Sequence, residues 1–401
     1  MSQKPQFSYH LGSATNTISL SSRVWDKPLP LTRSPLNRQP SPKPGFSPTH
    51  GDYFLAARAF LERNDFERFT KAVAQSRGHA TKPQDIEVIR IILVKHGEFY
   101  HPALIEAVVH SKPVLFVLNL AISQVGQDHI KKEYQTLQML ARKYSITYIP
   151  RVYTYAEIAS RGGRIIPMFL GQWLKGFHEF HIAGNPPDSS GHIKVWDPDR
   201  GNFFLTRRQM LDLYTRAAAI LTYYYDLESF QQIFPWHHAA GDFVVKVKSS
   251  SVAVFLVSAR RYSPLFRSNH QTAAGGIGPE QILQGLLIFL ISLSIRMRLD
   301  RLDGVGDIVW SDETAVLGAV NGFFQVLASK PPIASLPAPA DICFKTYLSS
   351  CSKQDLVELA DAIVGTFDPA MPEVPLIQSR LGAHIDTLYP AIARIVKEYT
   401  I

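Results

Sequence analysis

The change of apolar period at residue 85 constrains this chain more than any other feature. Ile86, Val88, Ile89, Ile91, Ile92, Leu93 and Val94 form a β-branched run, residues 104–109 resume it, and an apolar stretch at 114–122 follows Lys112-Pro113. Short runs rich in branched side chains fit a pleated surface better than a helix. They predict a hairpin and a third strand, with the hairpin turned at Lys95-His96-Gly97-Glu98-Phe99-Tyr100-His101-Pro102. The period then becomes helical over 127–143, where Ile130, Glu133, Leu137 and Leu140 fall on one stripe. Glu133 thus either shares the inward face, where a carboxylate is expected to find a cation because an unpaired buried charge is costly, or lies at the margin of the stripe and reaches solvent.

Extended pieces return at 149–153 and 165–174, and helical spacing resumes over 207–225 through Met210, Leu213, Tyr214, Ala217, Ile220, Leu221 and Tyr224. Between them, 184–201 are polar and proline-containing and are expected to form a surface insertion. Residues 235–247 read Pro-Trp-His-His-Ala-Ala-Gly-Asp-Phe-Val-Val-Lys-Val, at the point where the helix gives way to a β-rich run continuing at 252–257. Connections of this kind often carry chemistry. Two more helices are expected over about 280–299 and 312–328, and a helical tail begins where Ser352 and Asp355 have capping-box spacing.

With 401 residues, 46% of them hydrophobic, the chain can bury a large core divided between two lobes. The apolar run at 282–295 is shorter than a bilayer span and contains Gln284, Gly285, Ser292 and Ser294, which predicts a buried helix and no membrane span. Cys343 and Cys351 are too few for a disulfide framework or a cysteine-rich zinc site, and the N-terminus lacks a basic segment followed by an apolar one. A cytoplasmic location is the expectation.

The net charge is +8, and residues 1–50 hold six bases, one acid and eight prolines. That composition predicts a disordered basic arm. The remainder is close to balanced and lacks aromatic-basic interleaving, so no specific nucleic-acid binding is expected. A single helix is expected from Asp52 to about residue 74.

The succession of hairpin, third strand, helix with an inward Glu133, two strands, connector, long helix, His/Asp loop, second hairpin and helices resembles the protein-kinase-like fold. It is similar in particular to the aminoglycoside-phosphotransferase branch. The resemblance implies an α+β, two-lobed protein-kinase-like fold with a small β-rich N-lobe and a helical C-lobe. It divides the chain into an arm at 1–50, a helical extension at 51–84, the N-lobe at 85–172, the C-lobe at 173–330 and a helical extension at 331–401.

It also implies a nucleotide or phosphorylated small molecule bound between the lobes, with ATP and magnesium as cofactors and a small-molecule hydroxyl as acceptor. Glu133 takes the place of the N-lobe helix glutamate, and Met168 and Leu170 lie on the strand that would line an adenine pocket. His238 and Asp242 are similar to the loop histidine and catalytic aspartate, with Asp242 orienting the acceptor hydroxyl.

Three positions depart from that pattern. Asn119 stands near where the phosphate-gripping lysine is expected, Val247 where a metal-binding asparagine would be, and Ser258 near the place of a second metal-binding aspartate. Losing a cation and two metal ligands removes charge neutralisation on which phosphoryl transfer depends. Lys95 from the first turn, with Gly97 allowing close backbone approach, is a candidate replacement, as are Lys246 and Arg260.

Two other function classes remain. One is a catalytically inactive kinase-like module that binds a protein partner. The other is a metal enzyme built from His178-x-x-His181 and His237-His238, with His96 or His101 and a carboxylate from Glu179 or Asp242. The glycine-rich turn at 275–278 reads as a flexible entry loop in preference to an anion site, and the charges at 298–303 as a helix-end ion-pair network in preference to a substrate site.

Overall fold

The computed structural model describes residues 4–30, 48–97, 99–160, 163–184, 192–236, 241–249, 251–265 and 277–399. They form an α+β protein that separates into two compact units, Met1–Lys175 and Gly176–Ile401.

The first unit contains β1 (Gln6–Leu11), β2 (Thr17–Ile18), α1 (His50–Glu62), α2 (Glu67–Arg77), β3 (Ile86–Leu93), β4 (His101–Val109), β5 (Lys112–Leu120), α3 (Gln124–Lys143), β6 (Val152–Ala159) and β7 (Ile165–Gln172). Its seven strands make one sheet in the order β2-β1-β3-β4-β5-β7-β6. The expected hairpin and third strand are β3, β4 and β5, paired antiparallel.

The arm expected to be disordered is folded over its described residues. Strand β1 lies parallel to β3, with Tyr9 opposite Ile91, and Tyr9, Ile18, Trp25 and Leu29 are buried. Phe7, Tyr9 and Leu11 alternate with period two, a strand signal outweighed in the sequence by prolines and basic residues. Trp25 packs edge-on against Tyr9 and stacks on Phe54, so the segment is held by aromatic burial. Residues 31–47 lie outside the described residues.

The helix expected from 52 to 74 is two helices. Asn64, Asp65 and Phe66 all take positive φ between them, a turn that Asn and Asp tolerate better than most side chains. The break lets α1 and α2 both face the sheet, burying Tyr53, Phe54 and Phe60 from one and Phe69 and Val73 from the other.

The second unit contains β8 (Phe180–Ala183), β9 (His192–Val195), β10 (Phe203–Phe204), α4 (Arg207–Tyr224), β11 (Gln231–Ile233), β12 (Phe243–Lys248), β13 (Ser251–Leu256), β14 (Tyr262–Pro264), α5 (Pro279–Met297), β15 (Leu299–Arg301), β16 (Ile308–Trp310), α6 (Glu313–Leu327), α7 (Ala340–Ser349), α8 (Lys353–Gly365) and α9 (Val374–Tyr399). The region expected to be a polar insertion carries β9, whose Ile193 and Val195 are buried. Ser352 caps α8 as expected, its hydroxyl accepting from the Asp355 amide while Asp355 accepts from the Ser352 amide.

By length and composition α5 is apolar enough to cross a bilayer, but 61% of its apolar window is buried within the protein. Its polar end is also enclosed. The Arg296 guanidinium lies over the rings of Phe234 and Phe367 at 4.6 and 4.7 Å, and burial lowers its pKa to about 10.

Helices α4 and α6 approach so closely that Gly318 and Gly322 lie against the α4 backbone. A Cβ at Gly322 would collide with the Thr215 carbonyl oxygen, whereas one at Gly382 of α9 would meet nothing within 4 Å. The same substitution therefore has opposite signs. Gly322→Ala is expected to lower stability by about 1–3 kcal/mol through overpacking. Gly382→Ala should raise it by up to about 1 kcal/mol through helix propensity, both measured by denaturant unfolding.

A pH effect follows from His384, which is fully buried on α9 and hydrogen-bonds the Ser294 hydroxyl at 3.0 Å. Burial, then the Arg298 charge, lowers its pKa from 6.5 to about 3. Its folded pKa lies below its unfolded one, so its contribution is complete above about pH 6.5 and is lost as pH falls toward 3. His384→Leu is expected to reduce the slope of unfolding free energy against pH in this window by up to about 1.4 kcal/mol per pH unit.

Candidate functional site

The candidate residues fall into two groups, one in each unit. In the first unit, the pleat of β5 and β7 decides which of them face together. Leu118 pairs with Leu170 and Leu120 with Met168, while Val117 pairs with Gly171 and Asn119 with Phe169. Alternation places these pairs on opposite faces.

Met168 and Leu170 are fully buried in the apolar core that includes Phe69, Phe116, Leu118 and Tyr53. Both are core side chains, packed in the cluster that α1 and α2 share with the sheet. Phe169 and Gly171 occupy the other face, and Phe169 lies 6.0 Å from the Tyr134 ring of α3. Asn119 belongs to this second face and is half-buried.

Glu133 is inward, as its stripe predicts, with 2% of its surface exposed. The Tyr100 hydroxyl donates to its Oε2 at 2.5 Å, a charge-assisted bond short enough to keep the carboxylate satisfied away from water. Tyr100 is positioned from both sides, because its ring also meets Phe169 at 6.3 Å and its neighbour Phe99 meets His129 of α3 at 5.8 Å.

The connection between β3 and β4 is thus folded onto α3. Gly97 donates to the Tyr100 carbonyl at 3.1 Å, and a Cβ on Gly97 would come within 2.5 Å of that oxygen. Gly126 near the start of α3 abuts the Phe99 carbonyl, where a Cβ would not fit. Both glycines permit backbone approach between protein segments. Lys95 lies on this connection, two residues before Gly97.

In the second unit, Asp242 is 1% exposed and Arg260 8%. Arg260 donates through both terminal nitrogens, Nη1 to Oδ2 at 2.8 Å and Nη2 to Oδ1 at 2.6 Å. This is a two-pronged fork with both carboxylate oxygens engaged. Local topology explains it. The β12–β13 hairpin pairs Phe243 with Leu256, and the Val257 amide donates to the Asp242 carbonyl at 2.7 Å. Strands β11 and β14 clamp the base of the excursion by pairing Ile233 with Tyr262. Arg260, between Val257 and Tyr262, is thereby turned back toward Asp242. His238 lies outside the described residues.

His178 and His181 do not share a centre. His178 Nε2 stands 3.5 Å from Asp197 Oδ2, whereas His181 Nδ1 is 3.3 Å from Asp300 Oδ1. Asp300 is fixed in turn by the Ile182 and Arg301 amides, each at 2.7 Å. Among the described residues, no group of three or more His, Cys, Asp or Glu side chains is arranged to hold a metal ion. The expected helix-end network at 298–303 is recast as buried pairing: Asp300 serves His181, and Arg298 donates to the Ser311 carbonyl at 2.9 Å.

Nothing in the spacing of Arg260 pairs it with Asp242, eighteen residues earlier in the chain. Sequence alone did not single out Tyr100 and Phe169 as the groups surrounding Glu133. Their signal was position: Tyr100 precedes β4, and Phe169 has the parity opposite to Met168. No protein-family model matches the chain, and no curated protein matches it.

An aspartate used only for chemistry can be replaced with little loss of stability, but one holding a buried guanidinium cannot. Asp242→Asn is expected to destabilise the protein by about 3–5 kcal/mol, because it breaks a buried, two-pronged charge pair. Replacing both, Asp242→Leu with Arg260→Met, should cost substantially less than the two single changes combined, read by urea unfolding.

Proposed function

We propose that this chain is a kinase-like binding module that does not transfer phosphate. The carrying observation is the Asp242–Arg260 fork. Phosphoryl transfer of this class uses an aspartate to orient the attacking hydroxyl, with magnesium held by neighbouring ligands. Here the carboxylate that corresponds to that aspartate has both oxygens engaged by a buried guanidinium, an arrangement suited to holding a loop.

The element order supports the kinase-like part of this reading. Strands β3, β4, β5, β7 and β6 lie in that order in one sheet, and α3, with Glu133 inward, follows β5 in the chain. The long helix α4, the loop bearing Asp242, the hairpin β12–β13 and the later helices follow in the expected succession. The silent part is supported by the departures at Asn119, Val247 and Ser258, which replace the expected cation and metal ligands with uncharged side chains. A module of this kind acts by binding a partner, with ATP and magnesium dispensable.

Thermal denaturation of the full chain with ATP, with and without magnesium, tests the proposal. No stabilisation is expected in either condition. A ligand at a hundredfold its dissociation constant adds about 2.7 kcal/mol, so a clear rise in midpoint with Mg-ATP would sink the reading. Phosphate transfer or ATP hydrolysis that a folded Asp242→Asn variant abolishes would sink it as well.

A further inference from the structure

A charge withdrawn from water is tolerated when it is given an opposite charge or hydrogen-bond partners. Arg260 and Arg298 follow that rule: the first has both oxygens of Asp242, the second the Ser311 carbonyl at 2.9 Å. Arg296 does not. It stands in the last turn of α5, half-buried against Phe234 and Phe367, whose ring centroids lie 4.6 and 4.7 Å from its guanidinium carbon. Among the described residues it makes no hydrogen bond and no ion pair.

The two phenyl rings answer only part of what this group requires. Their π faces attract the positive charge, but they supply no oxygen for the N–H donors. None of the Arg296 nitrogens is among the buried unpaired atoms, so the donors reach the surface. Burial lowers its pKa to about 10, which leaves it charged at neutral pH. The acid that acts on it is Glu373, immediately before α9, whose charge raises that pKa without forming an ion pair.

The side chain is thus steadied by aromatic contact, charged, and open along its donors. A guanidinium fork in this state matches the two oxygens of a carboxylate. The negative charge of Glu373 nearby favours a monoanion over a phosphate dianion, which it would repel more strongly. The phenyl rings favour an apolar carbon skeleton beside the carboxylate.

We propose that Arg296, framed by Phe234 and Phe367, binds a small carboxylic acid in its ionised form, with the carboxylate on the guanidinium and an apolar body against the rings. Steadying the arginine before the ligand arrives removes part of the ordering cost of binding. The site uses neither Asp242 nor any residue of the first unit, so it stands whether or not the chain binds a nucleotide.

Thermal unfolding of the full chain in butyrate, with ionic strength held constant by chloride, tests it. Butyrate is expected to stabilise saturably, lowering the unfolding constant about elevenfold at roughly ten times its dissociation constant. The neutral isostere butyramide should have no effect, and phosphate a smaller one. Arg296→Met, which keeps an apolar chain against the rings, should abolish the response. Arg296→Lys keeps the charge without the fork and should weaken it, whereas Arg208→Met, at an exposed position on α4, should leave it intact. In the wild-type protein the Arg296 Nε–H resonance should shift along the same titration curve, a readout that needs no variant. Absence of saturable stabilisation beyond chloride overturns the proposal, as does an Nε–H resonance that stays still. So does an undiminished response in either Arg296 variant, a lost response in Arg208→Met, or an effect of butyramide or phosphate as large as that of butyrate.

Discussion

The pleat shared by β5 and β7 is the constraint on which the first unit depends. Because successive side chains leave a strand on opposite faces, Leu118, Leu120, Met168 and Leu170 must all enter the core when any one of them does. Asn119 and Phe169 are then committed to the other face, where α3 brings Tyr134 and Glu133. The aromatic cover supplied by α1, α2 and the N-terminal segment makes the first choice favourable, since Tyr53, Phe54, Phe69 and Trp25 bury large apolar areas. The position of the β3–β4 connection follows, because Tyr100 and Phe99 can reach α3 only from that second face.

The second unit is organised by polar burial as much as by apolar packing. Asp242 with Arg260, and His181 with Asp300, are charged or titratable pairs withdrawn from water. Burying them is unfavourable unless geometry satisfies each partner, and here short hairpins provide that geometry. The excursion clamped by β11 and β14 sets Asp242 and Arg260 within reach of each other, while β15 places Asp300 beside the start of β8. These pairs fix loop conformations that apolar contacts alone would leave less specified.

Much of the architecture was legible along the chain. The β-branched runs at 86–94, 104–109 and 114–122, the helical stripe of Glu133, the apolar helix at 280–299 and the Ser352 cap all rest on local periodicity or capping chemistry, and local signals survive folding when packing agrees with them. The N-terminal strand was concealed because its period-two pattern is only six residues long and sits within proline-rich, basic sequence. Its partner, β3, lies some eighty residues away, as the pairing of Tyr9 with Ile91 shows. The burial of Met168 and Leu170 against α1 and α2 is not legible for a related reason: a continuous apolar strand does not announce which parity faces which helix.

Local periodicity and composition set the class of each long element and the excess of basic residues near the N-terminus, and they limited Glu133 to an inward or a marginal position. Tertiary structure decided what those residues do. It gave Glu133 a tyrosine hydroxyl, paired Asp242 with an arginine eighteen positions later, separated His178 from His181 onto different carboxylates, and gathered His50, His96 and His101 into one column. Periodicity reports which way a side chain points. Its partner depends on how distant segments meet, and the free energy of a buried charge depends on that partner.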